Sequence, residues 1–298
     1  MFHFALRHDI IKVMKTFQKG NDCIYWGDAL QVLNKIIPSA SIDLIFADPP
    51  YNIGKDFGGF QDKWASEEDY LEWCYLWLSL CLDKLKPEGS LYLMASTQCM
   101  PYFDIYLRNR LSVLSRIVWH YDSSGVQAKN YYGSVYEPIL FCVKDKKQYT
   151  FNSNEILVEA RTGAQRKLID YRKKEPTPYN CSKVPGNVWT FPRVRYRMSE
   201  YEEHPSQKPE VLLERIIRAS SNPGDTVLDP FSGTFTTSAV GQKLGRQTIG
   251  IELQEKYVQV GLRRLDITQE IDGQPLKKPH KIWYDKQTSS QMKLFERK

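Results

Sequence analysis

The tetrapeptide Asp48-Pro49-Pro50-Tyr51 contains residue types that suit chemistry on a flat ligand carrying an amine. It follows the apolar run at 42–47, which is typical of a strand buried on both faces. Ligands of open α/β sheets bind beyond the carboxyl ends of such strands. Two prolines stiffen the turn and leave the Pro49 carbonyl without a helical partner, so Asp48 and this carbonyl offer two acceptors beside the ring of Tyr51. The set fits a planar exocyclic amine stacked on an aromatic face, although a Pro-Pro turn capped by Asp48 would explain the motif if it stood alone.

A second motif runs from Asp229 to Thr237, between a predicted strand at 226–230 and a predicted helix at 236–245. Its small residues allow backbone N–H groups to approach a ligand at the N-terminus of the helix. Glu252 ends the next predicted strand, 19 residues after Gly233, and an acid at this offset suits hydrogen bonds with a ribose. The motif therefore indicates a site for a cofactor that contains a nucleoside. An ordinary tight turn with a solvated glutamate is the alternative.

Strands and helices alternate around both motifs, which predicts a mainly parallel sheet covered by helices on both faces. Ser66, followed by three acidic residues, predicts a helix N-terminus. The segment at 136–144 reads as a strand paired with the one at 115–121. The pattern breaks at about 145 and resumes with a predicted helix at 209–221. We therefore divide the chain into a leader at 1–20, a catalytic domain at 21–144 and 206–270, an insertion at 145–205 and a polar tail at 271–298.

The composition excludes several classes of protein. Of 298 residues, 42% are hydrophobic and 26% are charged, which predicts a buried core rather than disorder. No apolar run approaches the roughly 18 residues of a membrane span, and charged residues interrupt the N-terminal segment where a signal peptide would be apolar. The six cysteines form no C-x-x-C pair and the five histidines lack the spacing of metal ligands. We expect a cytoplasmic protein with reduced thiols, no membrane association and no metal.

The predicted insertion concentrates positive charge. Ten basic residues lie between Arg161 and Arg197, and only Asp170 and Glu175 oppose them. Aromatic residues, prolines and glycines are interleaved with them, which favours a nucleic-acid surface, while charge alone favours a solvated loop equally. Arg193, Arg195 and Arg197 occupy every second position, so on a strand all three would lie on one face. The candidate DNA-binding residues are Arg161, Arg166, Lys167, Arg172, Lys173, Lys174, Arg193, Arg195 and Arg197.

Together the motifs resemble those of the DNA amino-methyltransferases that use S-adenosylmethionine. Asp48–Tyr51 matches the catalytic motif of that family, and Asp229–Thr237 matches its methionine-binding loop. The catalytic motif comes first and the cofactor loop last, with a basic region between, which resembles the β class. Gly27-Asp28-Ala29-Leu30 and His204-Pro205-Ser206-Gln207-Lys208-Pro209 match two further elements, so the resemblance covers about residues 20–267.

Aspartate rather than serine before Pro-Pro-Tyr points, within this family, to adenine N6 over cytosine N4. The segments DPPYNIGKDF, YDSSGVQAKNYYGSVYEPIL, VPGNVWTFPRVRY and HPSQKP resemble the YhdJ type of orphan adenine methyltransferase. That resemblance implies action at ATGCAT sites with no partner endonuclease. It also implies a Rossmann-like methyltransferase fold, with a mainly parallel seven-stranded sheet, helices on both faces and an inserted target-recognition region. The implied partner is double-stranded DNA at the nucleoid. β-class relatives are often homodimers, which leaves the oligomeric state open.

The resemblance also implies roles for individual residues. The target adenine would be flipped out and stacked on Tyr51, with its amine donating to Asp48 and the Pro49 carbonyl. Glu252 would hold the ribose and Asp28 the cofactor's adenine amine. Thr236 and Thr237 would contact the methionine carboxylate. Lys208 would neutralise a carboxylate, unless it is an exposed surface lysine. The implied catalytic residues are Asp48, Pro49, Pro50 and Tyr51, and the implied cofactor-binding residues are Asp28, Lys208, Asp229, Phe231, Ser232, Gly233, Thr234, Thr236, Thr237 and Glu252.

Two further expectations concern the ligand sites. Asp122, Ser123 and Ser124 could line the base pocket, with Trp119 a core residue. Phe235 stands where the family loop has a second glycine, and without glycine the backbone there is expected to avoid positive φ.

Four alternatives stay open. Cytosine N4 methylation differs only in the target base. Protein methyltransferases that act on glutamine have asparagine before Pro-Pro-Tyr, and these and RNA enzymes lack a basic insertion at this place. A non-catalytic DNA-binding module with a decayed core is disfavoured by the intact Asp48–Tyr51 motif. A nicotinamide dehydrogenase is disfavoured because the loop lacks the G-x-G-x-x-G pattern.

Overall fold

The computed structural model describes residues 15–57, 59, 61–121, 128–160 and 168–268. Among these residues, no helix combines the length and the apolar character that crossing a membrane requires. The helices are α1 (Ala29–Lys35), α2 (Glu67–Lys84), α3 (Met100–Arg108), α4 (Glu210–Ser220), α5 (Thr236–Lys243) and α6 (Glu255–Arg264), with one 3₁₀ turn at Ser153–Ile156. The strands are β1 (Lys15–Lys19), β2 (Asp22–Trp26), β3 (Ile42–Ala47), β4 (Leu85–Met94), β5 (Ser112–His120), β6 (Tyr136–Val143), β7 (Val158–Glu159), β8 (Ile169–Asp170), β9 (Thr177–Pro178), β10 (Ser182–Lys183), β11 (Val188–Thr190), β12 (Thr226–Asp229) and β13 (Gln247–Glu252).

One sheet organises the described chain, with strand order β1-β2-β13-β12-β3-β4-β6-β5-β11. The run from β2 to β4 is parallel, β6 lies antiparallel between β4 and β5, and β11 is parallel to β5. The predicted α/β class and the mainly parallel sheet are therefore confirmed. The sheet has nine strands rather than the seven expected, because β1 and β11 are added as its first and last strands.

Helices cover both faces of this sheet. Along β3, Ile45 and Ala47 pack in one core with residues of α1, α2 and α3, whereas Leu44 and Phe46 pack in a second core with residues of α4. The alternation follows from the two-residue period of a strand, and burial on both faces explains why β3 is continuously apolar. Ser66 caps α2 by accepting the N–H of Asp69 at 3.1 Å, as its sequence predicts.

The predicted boundary at residue 20 is wrong in part. Lys15–Lys19 was placed in a leader, yet it forms β1, because Phe17 is buried in a core with Ile24. The insertion at 145–205 returns to the main sheet as β11, where Trp189 is buried. The other extended segments of the insertion form two small ribbons, β7 with β10 and β8 with β9.

The strand directions gather functional residues at one edge of the sheet. The parallel strands β2, β3, β12 and β13 end there, which brings Asp28, Asp48, Asp229 and Glu252 to the same side. Because β6 runs antiparallel to β4, it begins at this edge, whereas β5 and β11 end at it. The edge therefore also receives the residues at the start of β6 and those that follow β5 and β11.

Candidate active site

A cavity of about 1210 Å³ opens at this edge. Both sequence motifs line it, since its wall includes Asp48, Tyr51, Gly233 and Glu252. Single-ligand pockets usually have roughly 300–1,000 Å³, so this cavity has room for a cofactor and a nucleobase together.

The side chains of two residues outside the Asp48–Tyr51 motif, Tyr70 and Asp62, hold it in place. The hydroxyl of Tyr70 donates to the Pro50 carbonyl at 2.8 Å, and the backbone N–H of Tyr51 donates to Oδ2 of Asp62 at 3.1 Å. Asp62 is fully buried and also accepts the backbone N–H of Lys55. These contacts fix the turn and the segment that follows it, and nothing in the sequence spacing pointed to Tyr70 or Asp62.

Asp48 is engaged at both oxygens. Its Oδ2 lies 2.7 Å from Nζ of Lys208, and its Oδ1 accepts the Tyr51 hydroxyl at 2.6 Å. Burial raises the pKa of Asp48, and the Lys208 ammonium opposes that rise. Lys208 is only 7% exposed, so the alternative that it is an exposed surface lysine is wrong. The carboxylates it contacts are those of Asp48 and Glu137.

Glu137 is a site residue that the sequence reasoning missed. Its Oε2 accepts the Tyr51 hydroxyl at 3.0 Å and lies 3.3 Å from Nζ of Lys208, while its Oε1 lies 3.3 Å from Nη2 of Arg193. Burial disfavours its charge, but the two cations outweigh burial and lower the pKa of Glu137 below its usual value. The available signal was the antiparallel pairing of β6, which places its first residues at the ligand-binding edge.

Arg193 points into the cavity. Its guanidinium donates to the Tyr121 hydroxyl at 2.8 Å and lies 3.9 Å from the centre of the Tyr121 ring. Residues 191–197 form no strand, so the expectation that three alternating arginines share a strand face is wrong. Arg197 has φ of 75°, a turn conformation that ends any such alternation.

Asp229 organises the second motif. Its Oδ1 accepts the backbone N–H of Phe231 at 3.0 Å, and its Oδ2 accepts the Thr237 hydroxyl at 2.6 Å. Burial raises the pKa of Asp229 to about 7. Because the Thr237 hydroxyl already donates to Asp229, any contact of this residue with a methionine carboxylate would be left to its backbone N–H.

Glu252 braces the same loop. Its Oε2 accepts the backbone N–H of Gly233 at 2.8 Å, and its Oε1 accepts that of Gln254 at 2.7 Å. Burial raises its pKa to about 7, against the effect of these N–H donors. Each oxygen keeps a further lone pair, so the carboxylate could also accept ribose hydroxyls.

Phe235 contradicts the expectation about backbone conformation. It adopts φ of 57° and ψ of 33°, in the left-handed region. The physical reason is tertiary: its fully buried ring packs against the backbone of Gly250 and Gly261, where an added Cβ at either glycine would overlap the ring. Packing of the ring thus holds a conformation that an isolated phenylalanine avoids.

The remaining predicted cofactor residues lie around the same cavity. Asp28 caps α1 by accepting the N–H of Gln31 at 3.1 Å, and burial raises its pKa. Phe231 meets Trp77 edge-on at 4.9 Å between ring centroids. The guanidinium of Arg264 donates to the Thr234 carbonyl at 3.1 Å and to the Thr236 hydroxyl at 3.2 Å. The hydroxyl of Ser232 donates to the Asp229 carbonyl.

The wall of the cavity suits a cationic nucleoside. The carboxylates that line it include those of Asp28, Asp229 and Glu252, and a positively charged ligand would favour their ionised forms. The His204 ring is neutral, because burial and nearby cations lower its pKa to about 3. Its Nδ1 accepts the Ser206 N–H at 3.1 Å, which leaves the proton on Nε2, beside Gly233. These residues fit S-adenosylmethionine.

The predicted DNA-binding residues fall into three groups. Arg161, Arg166 and Lys167 lie outside the described residues, as do Asp122, Ser123 and Ser124 of the predicted base pocket. Lys173 and Lys174 are exposed in the turn between β8 and β9, where Arg172 also pairs with Asp170 at 2.8 Å. Arg193 lines the cavity, whereas Arg195 and Arg197 are exposed beyond it. Trp119 is buried, as expected, and also borders the cavity.

Comparison with known proteins places the chain among enzymes that methylate DNA. The family model described as DNA methylase (N6_N4_Mtase) matches residues 42–263. DNA adenine methyltransferase YhdJ of Escherichia coli (strain K12) is 58% identical over 264 residues, which are 88% of this chain and 89% of that protein. Type II methyltransferase M.HpaI of Haemophilus parainfluenzae is 37% identical over 234 residues, which are 78% of this chain and 70% of that protein.

Two solved structures support the fold. The M1.HpyAVI–SAM complex is 25% identical, with a TM-score of 0.57, covering 82% of this chain and 98% of that one. PvuII DNA methyltransferase, which is cytosine-N4-specific, has a TM-score of 0.60 at 19% identity, covering 84% of this chain and 89% of that one, and this likeness shows the fold alone. The predicted methyltransferase fold is thereby confirmed.

Proposed function

This chain belongs to the DNA methylase family, and we propose that its site transfers a methyl group from S-adenosylmethionine to N6 of adenine in double-stranded DNA. The observation that carries the proposal is that Asp48-Pro49-Pro50-Tyr51 borders the same cavity as Gly233 and Glu252. An amine-binding motif and a nucleoside-binding loop thus face one space. The relative YhdJ is named a DNA adenine methyltransferase, and aspartate rather than serine before Pro-Pro-Tyr supports the same base.

The target base must leave the duplex to reach Asp48, so we propose base flipping. The Tyr51 ring provides a stacking surface, and Asp48 and the Pro49 carbonyl accept the two N–H groups of the amine. The N6 lone pair is normally delocalised into the ring, which makes the nitrogen a poor nucleophile. Two fixed acceptors favour a pyramidal nitrogen and stabilise the positive charge that develops on it.

Asp48 acts as an acceptor rather than as a strong base. An aspartate has a reference pKa of about 3.9, and even a pKa raised by burial leaves it far too weak to deprotonate a neutral arylamine. Once the nitrogen has become cationic, its proton is acidic enough to pass to the carboxylate. Lys208 favours the ionised carboxylate that this step requires.

S-adenosylmethionine supplies, when bound, a methyl group on a sulfonium that an amine nitrogen accepts in line. Glu252 is proposed to hold the ribose hydroxyls and Asp28 the adenine amine. The turn at Gly233 and the ring of Phe231 shape the space between them. Backbone N–H groups at Thr236 and Thr237 are available to a carboxylate at the N-terminus of α5.

The first test is methyl transfer from labelled S-adenosylmethionine to unmethylated DNA, followed by digestion and identification of the nucleoside. We expect N6-methyladenine from the wild type and none from Asp48→Ala, with cofactor binding largely retained in the variant. N4-methylcytosine would overturn the assignment of the base. Substantial turnover by Asp48→Ala would overturn the assignment of the catalytic motif.

The sequence ATGCAT is proposed as the target, on the resemblance of four segments that include DPPYNIGKDF and HPSQKP. Duplex oligonucleotides that contain ATGCAT, or that differ from it at one position, test this. Equal methylation of both duplexes contradicts the target.

We also propose that the enzyme works in the cytoplasm on nucleoid DNA, without a partner endonuclease. A homodimer is proposed for solution, because β-class enzymes often form one. Sedimentation of the full chain tests it, and a single species at the mass of a monomer contradicts it.

A further inference from the structure

We propose that Glu137 is a positioning residue. When the target amine arrives, Glu137 accepts the hydrogen bond that the Tyr51 hydroxyl had donated to Asp48, and Asp48 is then free to accept the amine. The inference rests on the proposed function and adds a step to it. It assigns a task to a buried carboxylate that the mechanism above does not use.

The arrangement without a target base presents an obstacle. Both oxygens of Asp48 already accept hydrogen bonds, Oδ2 from Lys208 at 2.7 Å and Oδ1 from the Tyr51 hydroxyl at 2.6 Å. A bond to an ionised acceptor is stronger than a neutral one, and this site is largely shielded from water. Each oxygen keeps a further lone pair, but a carboxylate oxygen that already accepts one donor attracts a second donor more weakly. The Tyr51 hydroxyl therefore weakens the bond that an incoming amine forms with Asp48 Oδ1.

Glu137 offers the hydroxyl a second acceptor without movement of the ring. A tyrosine hydroxyl has one proton and donates it to one acceptor at a time. The oxygen of Tyr51 lies 2.6 Å from Asp48 Oδ1 and 3.0 Å from Glu137 Oε2, so rotation of the O–H bond alone redirects the proton. No covalent bond breaks, and the tyrosine ring stays in place for stacking.

The exchange is favourable only if Glu137 is ionised. Nζ of Lys208 lies 3.3 Å from Oε2, and Nη2 of Arg193 lies 3.3 Å from Oε1. Lys55 also faces this group and adds positive charge. Together these cations keep Glu137 as a carboxylate, and a carboxylate accepts hydrogen bonds without donating any.

A purely structural alternative exists, in which Glu137 only balances the charge of Lys208. The two explanations differ in how the effect of Glu137 depends on the Tyr51 hydroxyl. If Glu137 acts by accepting that hydroxyl, its importance disappears when the hydroxyl is removed. If it balances Lys208, its importance is the same with or without the hydroxyl.

The experiment is a double-mutant cycle of Glu137→Gln and Tyr51→Phe, read as the single-turnover rate of N6-methyladenine formation at saturating cofactor and DNA. We expect Glu137→Gln to lower the rate about tenfold or more, the effect of losing one buried hydrogen-bond acceptor. In the Tyr51→Phe background the same change should cost less than about threefold, because no hydroxyl then blocks Asp48. The dissociation constant for S-adenosylmethionine should stay within about twofold, since the proposal leaves the cofactor site untouched.

Glu155→Gln is the matched control, since the Glu155 side chain is 57% exposed and pairs with Arg218 at 3.5 Å, and neither residue lines the cavity. Its rate should equal that of the wild type. An equal loss from Glu137→Gln in both backgrounds, or no loss in either, overturns the proposal.

Tyr51→Phe alone gives a second reading if Glu137→Gln does not fold. Its rate should exceed that of the wild type, because no hydroxyl then competes with the amine for Asp48 Oδ1, and a rate at or below that of the wild type overturns the proposal. Absence of N6-methyladenine from the wild type itself would instead overturn the proposed function, and with it this inference.

Discussion

The ring of Phe235 fills the space that a side chain at Gly261 would need. A Cβ added at Gly261 would lie 2.6 Å from Cγ of that ring, and one added at Gly250 would lie 2.7 Å from Cδ1. α6 and β13 thus form a slot that holds Phe235 in its left-handed conformation. Because Phe235 lies between Thr234 and Thr236, this slot sets the path of the loop that we propose binds the cofactor.

Gly261→Ala should therefore destabilise the protein and weaken cofactor binding. Overpacking a close-packed interior costs about 1–3 kcal/mol, and the ring can relieve the overlap only by moving the loop. Urea denaturation and calorimetric titration with S-adenosylmethionine measure the two effects.

Gly186→Ala is the control for that substitution. A Cβ at Gly186 meets nothing within 4 Å, and its backbone has no positive φ. It should leave both the free energy of unfolding and the cofactor affinity unchanged. If Gly261→Ala were as harmless as this control, the slot would not determine the loop.

Lys208→Met should show whether the lysine acts on Asp48 or on cofactor binding. Lys208 lowers the pKa of Asp48, so its removal raises that pKa and leaves less of the ionised acceptor near pH 7. We expect kcat to fall roughly 100-fold, the lower end of what a proton acceptor contributes, and to recover in part as pH rises from 7 to 9. The affinity for S-adenosylmethionine should change little, since Lys208 contacts Asp48 and Glu137.

Lys35→Met, at the exposed end of α1, controls for the loss of one positive charge. A large loss of cofactor affinity in Lys208→Met, with an unchanged pH profile of kcat, would contradict this prediction and would indicate that Lys208 acts on the cofactor rather than on Asp48.

Glu252 should make stability depend on pH in a defined direction. Burial raises its pKa from 4.5 to about 7, so between these values the folded state binds a proton that the unfolded state lacks. Stability of the wild type relative to Glu252→Gln should therefore fall as pH rises through this window, by at most about 1.4 kcal/mol per pH unit, and level off above pH 7. Urea denaturation of both proteins without cofactor at pH 5, 6, 7 and 8 measures this difference. The same difference in the free energy of unfolding at all four pH values would contradict the prediction.

The same variant tests the ribose assignment. Replacing one carboxylate oxygen by an amide removes an acceptor for a ribose hydroxyl, so calorimetric titration should give affinity about tenfold weaker or worse. Unchanged affinity would refute the ribose role of Glu252.

The chemistry at the ends of parallel strands was predictable from the sequence. Asp48, Asp229 and Glu252 each follow or end an apolar run, and the carboxyl ends of parallel strands share one edge of a sheet. Local pattern and a general rule of topology were sufficient. The helix start at Ser66 was predictable for the same reason, because capping depends on neighbours in sequence.

What escaped prediction depends on contacts distant in sequence. The pairing of β6 with β5 was predicted, but its position beside β4, which brings Glu137 to Tyr51, follows from the whole strand order. The expectation that Phe235 avoids positive φ rests on the backbone preference of a single residue. Its observed conformation depends instead on packing against Gly261, which is distant in sequence. The alternation of arginines predicted a shared strand face, yet Arg193 turns into the cavity beside Tyr121.

The turn between β8 and β9 should contribute to DNA affinity through charge. Lys173 and Lys174 are exposed there, in the basic insertion. Phosphate contacts release counterions, so each lost contact should make the slope of log K against log salt concentration shallower by about 0.9. Lys173→Ala with Lys174→Ala should flatten the slope by up to about 1.8 and leave cofactor affinity unchanged. Lys146→Ala is the control, because this exposed lysine follows β6 at the opposite edge of the sheet. If the double variant kept the slope of this control, the turn would not contact phosphates, and the charge of the insertion would have to act through its other basic residues.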